Sequence, residues 1–195
     1  MQDRNIKDVN FAVIDTETTG ISPRSSRICE IAGVIAKGYD EVSSFSWLLD
    51  PEMKMPYSAF AVHGISDEML AGQPKFCDIA ARLLSQLEKT VIVGHNIMFD
   101  VNFINMELRR IGLNLPKLPV IDTLALARKS GLFEHNKLSF IAEALHIDCG
   151  GWHRALNDVQ ATRQVLYFFI KRIERKNGFC SLKDIHQQSG GKYVK

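Results

Sequence analysis

Three short motifs that lie far apart in this 195-residue chain supply four carboxylates and one histidine, His153, that could act together in catalysis. The motifs are DTETTG from Asp15, GHNIMFD from Gly94 and HRALND from His153. Carboxylate oxygens are the ligands that hard divalent cations prefer, and histidine can accept a proton near neutral pH. Together these residue types suit the hydrolysis of a phosphodiester by two bound metal ions.

The first motif follows the apolar run 11–14, which predicts that Asp15 and Glu17 lie at the end of a strand. Side chains two positions apart on a strand share a face, so both carboxylates point the same way while Thr16 points to the other face. An isolated DxE at a strand end is more often a solvated pair than a metal site. The other two motifs are therefore needed to support the interpretation.

The second and third motifs each place an acid in the first turn of a predicted helix. Asp100 follows the apolar strand 91–93. Phe99, Phe103 and Met106 recur around it at the three- and four-residue spacing of a helix. An acid at a helix start is also favoured by the helix dipole alone, which is the simpler alternative. Asp158 opens a long helical segment, and His153 precedes it in a glycine-containing loop.

The electrostatics of the whole set favour a metal site. Asp15, Glu17, Asp100 and Asp158 would bring about four negative charges into one pocket, where they repel one another unless cations are bound. We therefore expect two divalent cations, Mg²⁺ or Mn²⁺, as cofactors. His153 is the candidate general base for the attacking water.

The three motifs, in this order, resemble those of the DEDDh 3'-to-5' exonuclease family, especially the epsilon proofreading subunits of bacterial DNA polymerase III. The likeness covers residues 9–172. It implies that the four acids bind two metal ions and that His153 is the general base. It also implies contacts with the 3'-terminal nucleotide from Thr16, Thr18, Val62, His63 and Phe99. For His63, packing in a turn is an equally good explanation.

The resemblance also implies the reaction and its partners. It predicts release of nucleoside 5'-monophosphates from the 3' end of DNA, preferably single-stranded, in proofreading or repair. A DNA polymerase subunit is a candidate partner, and a stand-alone nuclease is the other option. Two further alternatives stay open: an exoribonuclease of the same superfamily, and a catalytically silent nucleic-acid-binding module.

The hydrophobic pattern predicts a single α/β domain. Neighbouring early strands followed by alternating strands and helices indicate a mixed central sheet flanked by helices, the ribonuclease H-like layout that the resemblance also implies. We predict strands near 10–15, 28–36, 42–49, 90–94 and 119–122, and helices near 75–88, 97–111, 123–130, 138–146 and 155–176. Residues 1–176 are assigned to the exonuclease domain. Residues 177–195 are predicted to be a basic, loosely ordered tail.

Composition excludes several classes of protein. Hydrophobic residues make up 46% of the chain, which suffices for a full core without disulfides. The four cysteines show no zinc-binding spacing and suggest reduced thiols in the cytoplasm. No leader peptide and no apolar stretch of roughly 20 residues are apparent, so we expect no membrane association. The net charge is only +2.

Overall fold

The computed structural model describes residues 4–148, 150 and 154–194. Its centre is a five-stranded sheet with the order β3-β2-β1-β4-β5. The strands are β1 (Asn10–Thr18), β2 (Ile28–Lys37), β3 (Asp40–Leu48), β4 (Val91–Gly94) and β5 (Val120–Asp122). The first three pair antiparallel, whereas β4 pairs parallel with both β1 and β5. The predicted mixed sheet is confirmed.

Helices cover both faces of this sheet. They are α1 (Tyr57–His63), α2 (Asp67–Leu70), α3 (Phe76–Leu87), α4 (Met98–Arg110), α5 (Thr123–Ser130), α6 (Leu138–Ala144), α7 (Ala155–Asn177) and α8 (Leu182–Gln188). One core cluster joins α3 and α4 to one face, and a second joins α5 to α8 to the other. Within the described ranges, no helix is long and apolar enough to cross a bilayer.

The alternation of β1 decides which way its polar end points. Phe11 and Val13 pack in the core beneath α7, whereas Ala12 and Ile14 pack beneath α3 and α4. Because the side-chain period of a strand is two, the next residues in the first series are Asp15 and Glu17. Both acids therefore belong to the α7 face of the sheet.

Helix α4 is fixed to β2 by a buried carboxylate. Glu107 is only 1% exposed, and it accepts hydrogen bonds from Arg27 Nε at 2.8 Å and from the backbone N of Ile28 at 3.2 Å. Arg110 Nη1 lies 3.0 Å from the same Glu107 oxygen. A buried carboxylate is tolerated only with such partners. This network fixes the position of the helix that carries Asp100.

The segment after α7 differs from the loosely ordered tail that we predicted. Leu182 and Ile185 of α8 are fully buried, and Ser181 caps the helix by accepting from the backbone N of Asp184. Further on, the carbonyl of Lys192 accepts a hydrogen bond from the backbone N of Val120 on β5. The apolar residues are few, but their helical spacing lets them complete the core.

Candidate functional site

Three of the predicted acids meet at one end of the sheet. Carboxylate oxygens of Asp15, Glu17 and Asp158 all lie within 4.8 Å of one another. The first two side chains leave the end of β1 on the face that α7 covers, and the third comes from the first turn of α7. The structure thus brings together residues that are more than 140 positions apart in the chain.

Asp100 approaches the same place from the opposite face of the sheet. Its Oδ1 accepts a hydrogen bond of 2.7 Å from Thr16 Oγ1, the side chain of β1 that points towards α4. The charge of Asp100 also contributes to the raised pKa of Asp15. Asp100 therefore shares the electrostatic environment of the cluster, while Thr16 fixes the orientation of its carboxylate.

The acids are held where ionisation is unfavourable. Burial, and then the charges of Asp100 and Asp158, raise the pKa of Asp15 well above its usual range. Burial and the neighbouring acids, Asp158 first, raise the pKa of Glu17 to about 8. Burial likewise raises the pKa of Asp100 to about 7, although the hydrogen bond from Thr16 acts in the opposite direction. Bound cations would relieve this repulsion.

The donor set fits a hard divalent cation. All the clustered groups are carboxylates, which Mg²⁺ and Mn²⁺ prefer over nitrogen or sulfur ligands. They come from the end of a central strand and from helices that are packed into the core, so their positions are rigid. Asp15, Glu17 and Asp158 are the residues that could hold the ion directly.

The pH dependence of stability should reveal the strained acids. A carboxyl group whose pKa is higher in the folded state contributes stability below its unfolded pKa and loses it as pH rises through the folded value. For Glu17 that window runs from 4.5 to about 8. We therefore expect the melting temperature in EDTA to fall more steeply from pH 5.5 to 8 for the wild type than for Glu17→Gln.

Added Mg²⁺ should raise the wild-type melting temperature more at pH 8 than at pH 5.5, because metal binding needs deprotonated ligands. Differential scanning calorimetry at both pH values, with and without metal, measures this. If the melting temperatures of the wild type and of Glu17→Gln fall equally with pH, ionisation of Glu17 is not disfavoured in the folded protein.

His153 lies outside the described residues, and so do Gly151 and Trp152. The adjacent Arg154 is described, and it is bound to a residue that the sequence motifs did not reveal. Glu30 on β2 is only 1% exposed. Its carboxylate accepts from Arg154 Nη2 at 3.1 Å, from Arg154 Nε at 3.4 Å and from the backbone N of Ala155 at 3.2 Å.

Glu30 is placed to fix the start of α7 relative to the acid cluster. It lies directly opposite Glu17 in the antiparallel pairing of β1 and β2, so both side chains project from the same face. Arg154, which Glu30 binds, directly precedes α7 and follows His153 in the chain. Glu30 thereby links the strand of Glu17 to the helix of Asp158.

We expect Glu30→Ala to lower turnover by roughly 10- to 100-fold, the usual cost of removing a group that orients metal ligands. The melting temperature should fall as well, because Arg154 and the N–H of Ala155 lose their acceptor. Turnover at saturating metal and substrate measures the first effect. Glu143→Ala, an exposed acid on α6, is the matched control. Unchanged turnover in Glu30→Ala would contradict the positioning role.

The residues predicted to contact a nucleotide lie in different environments. Val62 on α1 is 56% exposed, whereas His63 is buried and its Nδ1 accepts from the backbone N of Ile65 at 3.1 Å. Phe99 is partly buried and lies against Phe103, with ring centroids 4.8 Å apart. Thr18 Oγ1 donates to the carbonyl of Gly20 at 2.7 Å. Their contact with a nucleotide stays a prediction.

The turn between β4 and α4 is held by two polar side chains. His95 Nε2 donates to the carbonyl of Asn136 at 2.9 Å, and burial lowers the pKa of His95. Asp122 Oδ1 accepts from the backbone N of Asn96 and from that of Leu124, both at 3.0 Å. These contacts fix the turn that leads into α4, the helix of Asp100, whose carboxylate is also held by Thr16.

The sequence of this chain matches a known protein family. The sequence model of the exonuclease family matches residues 12–166. The chain is 32% identical over 175 residues to the DNA polymerase III epsilon subunit of Treponema pallidum, covering 88% of this chain and 81% of that protein. It is 34% identical over 184 residues to a PolC-type DNA polymerase III of Clostridium perfringens, covering 93% of this chain. It spans only 12% of that longer relative.

Solved structures share the fold. Exonuclease X in complex with 5' overhanging duplex DNA has a TM-score of 0.68 at 24% identity, covering 92% of this chain and 99% of that one. E. coli exonuclease I in complex with a dA16 oligonucleotide has a TM-score of 0.78 at 19% identity, covering 86% of this chain and 42% of that one.

Proposed function

This chain belongs to the exonuclease family, and from that premise we propose that it hydrolyses phosphodiester bonds from the 3' end of DNA and releases nucleoside 5'-monophosphates. The resemblance read from the three motifs is thereby confirmed at the level of the family. Enzymes of this family use divalent metal ions, and the carboxylates of the acid cluster in this chain could bind such ions. The identity and number of the ions, two Mg²⁺ or Mn²⁺, belong to the proposal.

The observation that supports this function best is the convergence of Asp15, Glu17 and Asp158, with Asp100 beside them. Near neutral pH, acids whose pKa values are raised by burial and mutual repulsion do not stabilise the fold. Such strain is typical of a functional site. A silent binding module would have no need of it, since a phosphate backbone is attracted by cations and repelled by acids.

Each residue then has a distinct task. Asp15, Glu17, Asp100 and Asp158 would hold the cations, which when bound supply a nucleophilic water near neutral pH and offset the charge of the phosphate. His153 would accept the proton of the attacking water.

The supporting groups act through these five. The hydrogen bond from Thr16 orients Asp100, and Glu30 with Arg154 fixes the start of α7. Val62, His63, Phe99 and Thr18 are proposed to position the terminal nucleotide.

The biological setting is also proposed. The similarity to an epsilon subunit and to PolC-type polymerases supports a role in proofreading, with a DNA polymerase III subunit as the partner. Single-stranded DNA ends are the proposed substrate, in line with the oligonucleotide bound by the exonuclease I structure. We assign the catalytic residues to 1–176, the part of the chain onto which α8 packs. A cytoplasmic location completes the proposal, since the nuclease must share a compartment with its DNA.

Digestion of DNA and RNA oligomers of the same sequence, with Mg²⁺ or Mn²⁺ present, tests this function. We expect nucleoside 5'-monophosphates as products by liquid chromatography, with DNA degraded faster than RNA. Asp158→Asn, which removes one charge and little volume, is the inactive control. Faster digestion of RNA would indicate an exoribonuclease instead. Binding of both oligomers without any product would favour the silent module.

A further inference from the structure

A wide groove runs along the outer side of α4, the side that is turned away from the sheet. Its volume is about 1130 Å³, and its floor is the stripe of α4 that includes Met98, Val101 and Met106. One wall is the loop 22–24 after β1, and the other is formed by Lys117 and the segment 191–194. We call it the α4 groove. Among the described residues that line it, none has a task in the proposed function.

Both walls of the α4 groove are held in place by hydrogen bonds. Arg110 Nη2 donates to the carbonyls of Pro23 and Arg24, at 2.7 and 3.3 Å, which ties the first wall to α4. In the other wall, the backbone N of Val194 donates to the carbonyl of Leu118 at 2.9 Å, and the Val194 side chain is fully buried. The groove is therefore preformed, so a partner binds without first ordering either wall.

The rim of the α4 groove is positively charged. It carries four exposed cations and, among the described lining residues, no acid; the cations are Arg24, Arg109, Lys117 and Lys192. Within the described part of the chain, none of the four forms an ion pair. The whole chain is nearly neutral, with 24 Lys or Arg against 22 Asp or Glu, so this set is a local excess. The rim therefore favours an occupant with several negative charges.

The floor of the α4 groove favours a protein segment over a nucleic acid. Its methionines and its valine offer flexible, apolar contacts, which suit the apolar side of a peptide. A strand of DNA would instead need exposed rings on which its bases stack. Tyr193 supplies the one ring among the described lining residues. That ring is already in contact with other groups, because Lys117 Nζ lies 5.7 Å from its centroid and the His186 ring lies 5.1 Å away.

The dimensions of the floor indicate that the occupant is a short helix. The lining stripe of α4 runs from Met98 to Arg109, which is about 16 Å at a rise of about 1.5 Å per residue. A helix of about three turns has this length. Helices pack side by side through the ridges and grooves of their side chains. An amphipathic helix on the floor turns its apolar face towards α4 and places the residues at its flanks next to the rim.

We infer that the α4 groove is a docking site for an acidic, amphipathic helix of a partner protein. Apolar side chains of that helix lie against the methionines of the floor, and its acids pair with the four cations of the rim. The cluster of Asp15, Glu17 and Asp158 lies on the face of the sheet that α7 covers, opposite α4, so a docked partner leaves the cluster open. The inference goes beyond the proposed function, because docking requires no hydrolysis.

Fluorescence anisotropy with three labelled peptides of about three helical turns tests the docking site. The first peptide carries leucines at helical spacing and glutamates elsewhere. The second has lysines in place of the glutamates, and the third has the composition of the first in an order without an apolar face. The wild type should bind the first roughly tenfold more tightly than either of the others. This binding should weaken when NaCl is raised from about 0.05 M to about 0.3 M, because salt screens the rim.

Substitutions in the α4 groove should remove most of this affinity. For Arg109→Glu, Lys192→Glu and Met106→Asp, which place acids on the rim or the floor, we expect the Kd of the acidic peptide to rise roughly tenfold. Arg175→Glu is the matched control, because Arg175 is exposed in the last turn of α7 as Arg109 is in the last turn of α4. Its Kd should equal that of the wild type. Melting temperatures establish that each variant is folded.

Three results would overturn the docking site: no binding of the acidic peptide by the wild type, equal binding of the acidic and basic peptides, or groove variants that bind like Arg175→Glu. A labelled single-stranded oligonucleotide with Ca²⁺ is the competing probe. If the rim variants lose affinity for it as much as for the peptide, the groove belongs to nucleic acid and the inference is wrong. A wild type that binds the acidic peptide but cleaves no DNA would support the docking site and contradict the proposed function.

Discussion

Asp15→Asn should abolish hydrolysis and at the same time stabilise the metal-free protein. The lost carboxylate lies within 4.8 Å of the oxygens of Glu17 and Asp158, so the site loses a metal ligand. Metal-supplied charge stabilisation is worth several kcal/mol, which corresponds to a loss of turnover of at least roughly 10³-fold. Because burial and repulsion raise the pKa of Asp15, its neutral replacement should increase the free energy of unfolding at pH 8 in EDTA.

Kinetics and urea denaturation of the same variant measure both effects. Asp8→Asn, an exposed acid near the other end of β1, is the matched control and should change neither. The opposite signs are informative, because a structural acid would lose stability on substitution. A destabilised Asp15→Asn protein, or one that retains turnover, would show that this carboxylate is not part of a strained metal site.

His153→Ala should reduce turnover by roughly 10² to 10⁴-fold, the range for removal of a general base. Metal affinity should persist, because the carboxylate ligands are unchanged. The wild-type rate should rise with pH through the region of a histidine pKa, about 6.5, and the variant should lose that rise. Isothermal titration with Mn²⁺ and a pH–rate profile measure the two quantities.

His146→Asn provides the control for the histidine substitution. His146 is exposed after α6, and its φ of 55° is one that asparagine adopts readily. Its turnover should match that of the wild type. Full activity of His153→Ala with an unchanged pH profile would mean that the water is deprotonated without this side chain.

Much of the fold could be predicted because its signals are local. The alternation of β1 and the apolar spacing of α3 and α4 depend only on neighbouring residues, and the predicted bounds lie within a few residues of the structure. α8 was missed although Ser181 and Asp184 have capping-box spacing. α1 was also missed, because its exposed Tyr57 and Val62 blur the apolar periodicity.

The site was predictable only in part, since some of its contacts cross long distances in the chain. The strand period placed Asp15 and Glu17 on one face, and the structure agrees. The pairing of Glu30 with Arg154 joins residues 124 positions apart, so no local pattern reveals it. The bond from Thr16 to Asp100 spans 84 positions across two faces of the sheet. Thr16 had been predicted only as a nucleotide contact.

Metal-dependent hydrolysis at the acid cluster is tested by digestion of 5'-labelled single-stranded DNA by the wild type with Mg²⁺, by the wild type with EDTA, and by Asp15→Asn with Mg²⁺. A metal-dependent exonuclease that uses the acid cluster should give a ladder that shortens one nucleotide at a time from the 3' end, with the wild type and Mg²⁺ only. Internal cleavage, a ladder that persists in EDTA, or an active Asp15→Asn protein would contradict it.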